Sequence, residues 1–194
     1  MFGEHRVLID HSGFDGAEEK DPVEWYPKMI DLDMVCVHGH CAFMTKWEKV
    51  APNIIPVAWV RDPVHRTISQ YYYESRLAGD PKPWPPDWDE LIEYNERKCK
   101  NFQTKYFVPL DRNKDFEFIG MTEMYDLGVY VFRKRFAEGR IVTVRRENVN
   151  PFGNRYREIL TPDIRKKIED INSEDMELYR IVKDRWRVGY YGGL

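Results

Sequence analysis

Short runs of β-branched and aromatic residues alternate along this chain with longer stretches in which apolar side chains recur at helical spacing. That alternation is the grammar of an α/β layer. The pattern predicts strands over Arg6–Ile9, Met34–Val37, Val57–Val60, Phe116–Ile119 and Arg140–Val144. Several are nearly unbroken apolar runs, as a parallel sheet buried on both faces requires. The helices declare their starts. Asp62-Pro63 sets a capping carboxylate before a proline whose missing N–H costs nothing at the first helical position, and predicts a helix to about Leu77. On it, Val64, Ile68, Tyr71 and Tyr72 share the core side, while Arg66, Ser69 and Tyr73 share the opposite face. Thr122 is expected to cap a helix through Phe136. Thr161-Pro162 opens another, with Ile164, Ile168 and Ile171 inward. Asn172-Ser173 stops that helix and starts the last, which carries Met176, Tyr179, Val182 and Trp186.

One stretch breaks the alternation. Four prolines in the six residues from Pro81 forbid a regular element between Gly79 and Asp87. This is a surface loop with an exposed Trp84. It is either a cover over a site or a rigid connector.

Composition narrows the class. With 194 residues, 42% of them hydrophobic and 32% charged, the chain suits one ordered domain. No run of about 18 apolar residues exists, so no membrane-spanning helix is expected. Residues Met1 to Arg6 carry no signal segment. A net charge of −3 argues against a nucleic-acid coat but leaves room for a local basic pocket. Cys36, Cys41 and Cys99 form no CxxC pair, so they are free thiols or at most one bridge, not a zinc site.

Two corners carry chemistry. At the first, the strand ending at Val60 passes through Arg61 directly into the capped helix. Ligands of open α/β sheets bind outside the carboxyl ends of strands, and a helix N-terminus offers N–H groups to an anion. Ser69 stands about 10 Å above Arg61 at 1.5 Å per residue, within reach of a shared phosphate. A guanidinium fork plus a hydroxyl suits a phosphate monoester. On spacing alone, an arginine paired with a surface carboxylate and an exposed helical serine are the plainer reading. The second corner is His38-Gly39-His40 at the end of the Met34–Val37 strand. Gly39 permits a tight turn that sets both imidazoles at one sheet edge. A histidine there can take a proton from a hydroxyl, or simply belong to the turn. No acidic or thiol cluster accompanies the pair at ligand spacing, so no metal is expected.

The segment Arg61-Asp62-Pro63-x-x-Arg66-x-x-Ser69-x-Tyr71-Tyr72 resembles the 3′-phosphate-binding motif of sulfotransferases that use 3′-phosphoadenosine 5′-phosphosulfate. With His38-Gly39-His40 upstream, it is similar to the uronyl and heparan sulfate 2-O-sulfotransferase branch. Further segments resemble the same enzymes: Phe116 to Glu123, Asn101 to Tyr106, Arg146 to Pro151, Leu160 to Pro162 and Asp175 to Tyr179. The resemblance spans roughly residues 34–190. It implies a P-loop NTPase-like three-layer sandwich around a mostly parallel sheet. It implies Arg61 and Ser69, with Arg66 beside them, as nucleotide-binding residues. It makes His40 the general base with His38 assisting, the nucleotide the donor substrate, and a glycan hydroxyl the acceptor. Arg133-Lys134-Arg135, Arg145-Arg146 and Arg165-Lys166-Lys167 are basic clusters that suit an anionic glycan or simply solvated faces.

One departure matters. The family begins with a strand and a lysine-bearing loop, roughly G-x-x-K-x-G-T/S, around the 5′-phosphosulfate. Here Ile9 is followed by Asp10-His11-Ser12-Gly13-Phe14-Asp15-Gly16, with no lysine before Lys20. The expectation is a single sulfotransferase-like domain over 1–194 whose first βα unit is absent, with impaired turnover. The alternative is a non-catalytic nucleotide- or glycan-binding module of the same fold. The resemblance leaves the compartment open: the Golgi lumen for a piece of a eukaryotic enzyme, the cytoplasm for a bacterial one.

Overall fold

The computed structural model describes residues 7–9, 27, 36–38, 55–106, 116–136 and 155–188, the first two strands by their backbone only. The chain is α/β. Strand β1, Val7–Ile9, pairs in parallel with β2, Cys36–His38, with Val7 opposite Cys36 and Ile9 opposite His38. Strand β3, Val57–Val60, pairs in parallel with β4, Phe118–Met121, in the register Val57 to Phe118 and Val60 to Met121. Among the described residues between β3 and β4 lie three helices, α1 Pro63–Leu77, α2 Trp88–Tyr94 and α3 Phe102–Tyr106, with a π-helical turn Asn95–Cys99 before the last. Then follow α4 Tyr125–Phe136, α5 Pro162–Ile171 and α6 Ser173–Val188. The strand expected at 140–144 lies outside the described residues. Among the described residues, no helix is long and apolar enough to cross a membrane.

Helix α1 starts and ends where the pattern places it. Asp62 Oδ1 accepts the N–H groups of Val64 at 2.9 Å and His65 at 3.2 Å, and Pro63 takes the first position. Thr161 Oγ1 likewise accepts from Ile164 N–H at 3.3 Å and opens α5. Thr122 behaves differently from the expected cap. It begins a 3₁₀ turn, Thr122–Met124, and α4 starts only at Tyr125. Its hydroxyl donates instead to the Val60 carbonyl at 3.0 Å, across the sheet. On α6 the buried stripe is Asp175, Leu178, Val182 and Trp186, while Met176 and Tyr179 are only half-buried. A carboxylate in the stripe is what periodicity misses, and its partners appear below.

Two cores result. One gathers Val60, Phe118, Ile119, Met121, Val131, Leu178, Val182 and Trp186 between β3–β4, α4 and α6. The other gathers Val64, Ile68, Tyr71, Tyr72, Leu91, Tyr156 and Ile168 around α1. Against the first core lies Trp59, in contact with two glycines. A Cβ at Gly120 would stand 2.1 Å from Trp59 Cε3, and one at Gly128 would stand 2.6 Å from Cζ3. Only glycine at both positions lets the indole lie there.

The proline-rich stretch is anchored on α1. Trp84 is half-buried, with its ring 5.9 Å from that of Tyr72. The Tyr72 hydroxyl donates to the Pro83 carbonyl at 3.1 Å. Lys82 Nζ lies 2.8 Å from both Asp80 and Glu90 carboxylates. The exposed tryptophan expected from sequence is thus an anchor on α1, because a tyrosine ring at Tyr72 supplies apolar surface the local pattern does not reveal.

Candidate functional site

The backbone that leaves β3 is held at three successive residues by side chains from elsewhere. The Val60 carbonyl accepts from the Thr122 hydroxyl. The Arg61 N–H donates to Gln103 Oε1 at 2.7 Å, and Gln103 Nε2 donates to the Arg61 carbonyl at 2.8 Å. The Asp62 N–H donates to Glu123 Oε1 at 2.9 Å. A peptide leaving a sheet loses its ladder partners, and buried backbone groups must find others. Here Thr122 and Glu123, at the end of β4, and Gln103, on α3, supply them.

Gln103 is itself fixed. Asp175, only 1% exposed, accepts the N–H groups of Gln103 at 3.0 Å and Thr104 at 2.7 Å, capping α3 from another helix. In return Asn101 Oδ1 accepts from the N–H groups of Glu174 at 3.1 Å and Asp175 at 3.4 Å, capping α6. Asn101 adopts φ 49°, a left-handed conformation that asparagine tolerates better than most residues. Its N–H donates to Asn172 Oδ1 at 3.1 Å, and Asn172 Nδ2 donates to Asn95 Oδ1 at 3.0 Å. Thr67 on α1 donates to the same Asn95 oxygen at 3.1 Å. A buried polar chain therefore runs from α1 through α6 and α3 back to Arg61.

The open end of α1 is not free to bind an anion. Asp62 Oδ1 already takes two of its first N–H groups, and Oδ2 accepts from Arg165 Nη2 at 3.2 Å. The expectation that the helix terminus adds N–H donors to a bound anion is corrected: the aspartate of the Arg-Asp-Pro corner occupies that place. Any anion grip rests on side chains.

Next to this corner, Glu123 Oε1 lies 3.8 Å from His65 Nδ1. Burial pushes the Glu123 carboxyl up, but the nearby His65 imidazole and the Asp62 and Glu123 N–H groups outweigh it and hold it below its ordinary value. Burial pushes the Tyr179 phenol up, and the neighbouring Glu123 and Asp62 charges push the same way. The buried Tyr156 ring stands edge-on to His65 at 5.1 Å. Its phenol is raised by burial and pulled back by the Arg157 and Arg61 cations nearby. A lowered folded-state pKa contributes stability that is present above the unfolded value, near 4.5, and lost as pH falls through the folded one. Glu123→Gln is therefore expected to be less stable than the wild type at pH 7. That gap should shrink as pH falls below the unfolded value and through the lower folded one. Urea denaturation at pH 7, 5 and 3.5 measures it, and a gap independent of pH would contradict the assignment.

Of the residues expected to carry function, Arg61 is partly exposed at the carboxyl end of β3, and Ser69 is partly exposed two turns into α1. Arg66 lies on the same helix with its guanidinium 4.0 Å over the Phe102 ring, a cation–π contact that orients it toward α3. His38 is the last residue of β2, and His40 lies outside the described residues. Gln103, Glu123 and Asp175 carry no role in the sequence reading of the corner, and Thr122 carries only that of a helix cap. The available signal was three segments, Asn101 to Tyr106, Phe116 to Glu123 and Asp175 to Tyr179, whose resemblance assigned no task to these individual residues.

No family model matches the chain, and no solved structure matches it. It is similar to an uncharacterized protein of Archaeoglobus fulgidus, 26% identical over 211 residues that cover 88% of this chain and 82% of that protein. The similarity runs through most of both chains and brings no activity with it.

Proposed function

We propose that the chain is a sulfotransferase-type protein with a P-loop NTPase-like three-layer sandwich. In this reading it grips the 3′-phosphate of 3′-phosphoadenosine 5′-phosphosulfate with Arg61 and Ser69. The observation that carries the reading is the corner itself: an arginine at the end of a parallel strand, its backbone held by Gln103, with a serine two turns above on the open face of α1. The donor set fits the group, since a planar fork and a hydroxyl match phosphate oxygens. Arg66, stacked on Phe102, adds positive field nearby.

In the transfer reaction an acceptor sugar oxygen attacks sulfur, and the bond from sulfur to the 5′-phosphate oxygen breaks. The acceptor proton passes to a base, assigned to His40 with His38 assisting. Adenosine 3′,5′-bisphosphate leaves. The protein's contribution is to align acceptor and donor and to neutralise the leaving oxygens, much as in phosphoryl transfer. The second reading is a nucleotide- or glycan-binding module without turnover. It is favoured by the run Asp10 to Gly16, which follows β1 without a lysine for the 5′ end.

Isothermal titration with adenosine 3′,5′-bisphosphate tests the shared site. Arg61→Ala and Ser69→Ala should each weaken binding by about 1–3 kcal/mol, the range for charge-assisted hydrogen bonds. Adenosine 5′-monophosphate should bind more weakly than the bisphosphate. Unchanged affinity in both variants would remove the nucleotide site. Transfer of labelled sulfate to heparan or dermatan sulfate separates enzyme from module: bisphosphate binding without transfer selects the module.

A further inference from the structure

We infer that Gln103 is a positioning residue for this anion site: by pairing with both backbone polar groups of Arg61, it fixes the direction in which the guanidinium leaves the sheet. The inference rests on the nucleotide reading above and adds to it a residue that touches no ligand.

The geometry argues as follows. Strand pairing ends at Val60, opposite Met121. Arg61 is thus the first residue beyond the ladder, where the backbone would otherwise choose its own direction. The Gln103 carboxamide stands in for a missing strand, accepting at 2.7 Å and donating at 2.8 Å. Such two-way pairing sets the orientation of a peptide, not merely its position, because both bonds must be satisfied together. Gln103 has no freedom to swing away. Its residue is 2% exposed, and its own N–H is bound by the buried Asp175 carboxylate. On the neighbouring side Phe102 carries the Arg66 guanidinium. One short helix therefore places two residues that govern the two arginines of the corner.

Only a carboxamide of this length does the work. Leucine keeps the volume and loses both bonds. Glutamate keeps an acceptor for the Arg61 N–H but presents an oxygen to the Arg61 carbonyl. Asparagine is one methylene short.

A double-mutant cycle tests the inference on the full chain, with adenosine 3′,5′-bisphosphate as the probe. In the wild-type background Gln103→Leu should weaken binding about tenfold, the order expected when one charge-assisted contact from the Arg61 guanidinium is misdirected. In the Arg61→Ala background the same change should have less than about a twofold effect, because the guanidinium it orients is gone. A purely structural role would lower affinity equally in both backgrounds, and that result overturns the inference. So does unchanged affinity for Gln103→Leu. Amide hydrogen exchange supplies a readout that needs no ligand: the Arg61 N–H should exchange faster in Gln103→Leu, while protection of the β4 amides stays. If Gln103→Leu fails to fold, Gln103→Glu replaces it, with the same cycle and the same exchange measurement. If the wild type binds no bisphosphate although the Arg61 amide responds, the nucleotide reading fails and the positioning role falls with it. If the wild type binds and Arg61→Ala weakens it but Gln103→Leu does not, the nucleotide reading stands and only this inference falls.

Discussion

Replacing Trp186 by alanine is expected to destabilise the protein by about 3–5 kcal/mol, as removal of a fully buried large aromatic does. The side chain is 1% exposed and belongs to the core formed with Phe118, Val131, Leu178 and Val182. Its ring meets Phe118 edge-on, centroids 6.0 Å apart and planes at 80°. Such pairs add to area burial. The indole N–H also donates to the Ile119 carbonyl at 2.8 Å, so truncation strips a buried strand carbonyl of that donor. Two variants divide the loss. Trp186→Phe keeps most of the apolar contact and removes the donor, so it should retain more than half of the stability lost in Trp186→Ala. Thermal unfolding followed by circular dichroism measures both, with a drop on the order of 10 °C for the alanine variant. A loss below about 1 kcal/mol would mean that Trp186 does not hold α6 on β4.

Replacing Asp175 by alanine should cost about 2–5 kcal/mol, although it removes only a few atoms. An ordinary helix cap is worth about 0.5–2 kcal/mol, because water takes over the freed N–H groups. Water has no such access here: Gln103 is 2% exposed and Thr104 is 7% exposed. Each orphaned buried donor carries its desolvation penalty of about 1–3 kcal/mol. Asp175→Asn should lie between, since its carboxamide accepts from one N–H and turns a donor toward the other. The loss should be felt at a distance. With α3 uncapped, Gln103 loosens, so bisphosphate affinity should fall in Asp175→Ala even where the protein is still folded. Chemical denaturation and titration on the same preparations check both effects. Wild-type stability in Asp175→Ala would show that α3 finds another cap.

How much of this was legible beforehand follows from where each partner sits in the chain. Helix α1 could be read to its ends because Asp62, Pro63 and the spacing of Val64, Ile68, Tyr71 and Tyr72 are all local facts. The same holds for Thr161 at the start of α5. Arg61 and Ser69 became candidates from the strand-to-helix corner, and only the resemblance gave them a phosphate to hold. The side chains that hold the corner are another matter. Gln103 is 42 residues from Arg61, Glu123 is 61 from Asp62, and Thr122 is 62 from Val60. No periodicity connects residues at such separations. Thr122, followed by a helical pattern, reads as a cap, because the competing acceptor on Val60 is visible only once β3 and β4 are paired. Asp175 falls outside the apolar positions that mark the last helix in the sequence, so periodicity gives it no inward place. It is instead drawn inward by two N–H groups of α3, and the first half of the α6 stripe falls on Asp175 and Leu178 in place of Met176 and Tyr179, while Val182 and Trp186 stay. Trp84 among prolines reads as exposed until Tyr72 is placed beside it.

The glycines around Trp59 bear on how the protein can vary. Gly120 on β4, Gly128 on α4 and the indole on β3 are three separate positions in the chain but one volume in the fold. A methyl group at either glycine has nowhere to go unless the ring becomes smaller. Viable homologous chains should therefore change these three sites together or not at all. A phenylalanine or leucine at position 59 is the step that opens positions 120 and 128 to alanine. The route through alanine first passes through an overpacked intermediate, worse by about 1–3 kcal/mol. The order of substitutions, and not only their sum, decides which descendants of this fold are reachable.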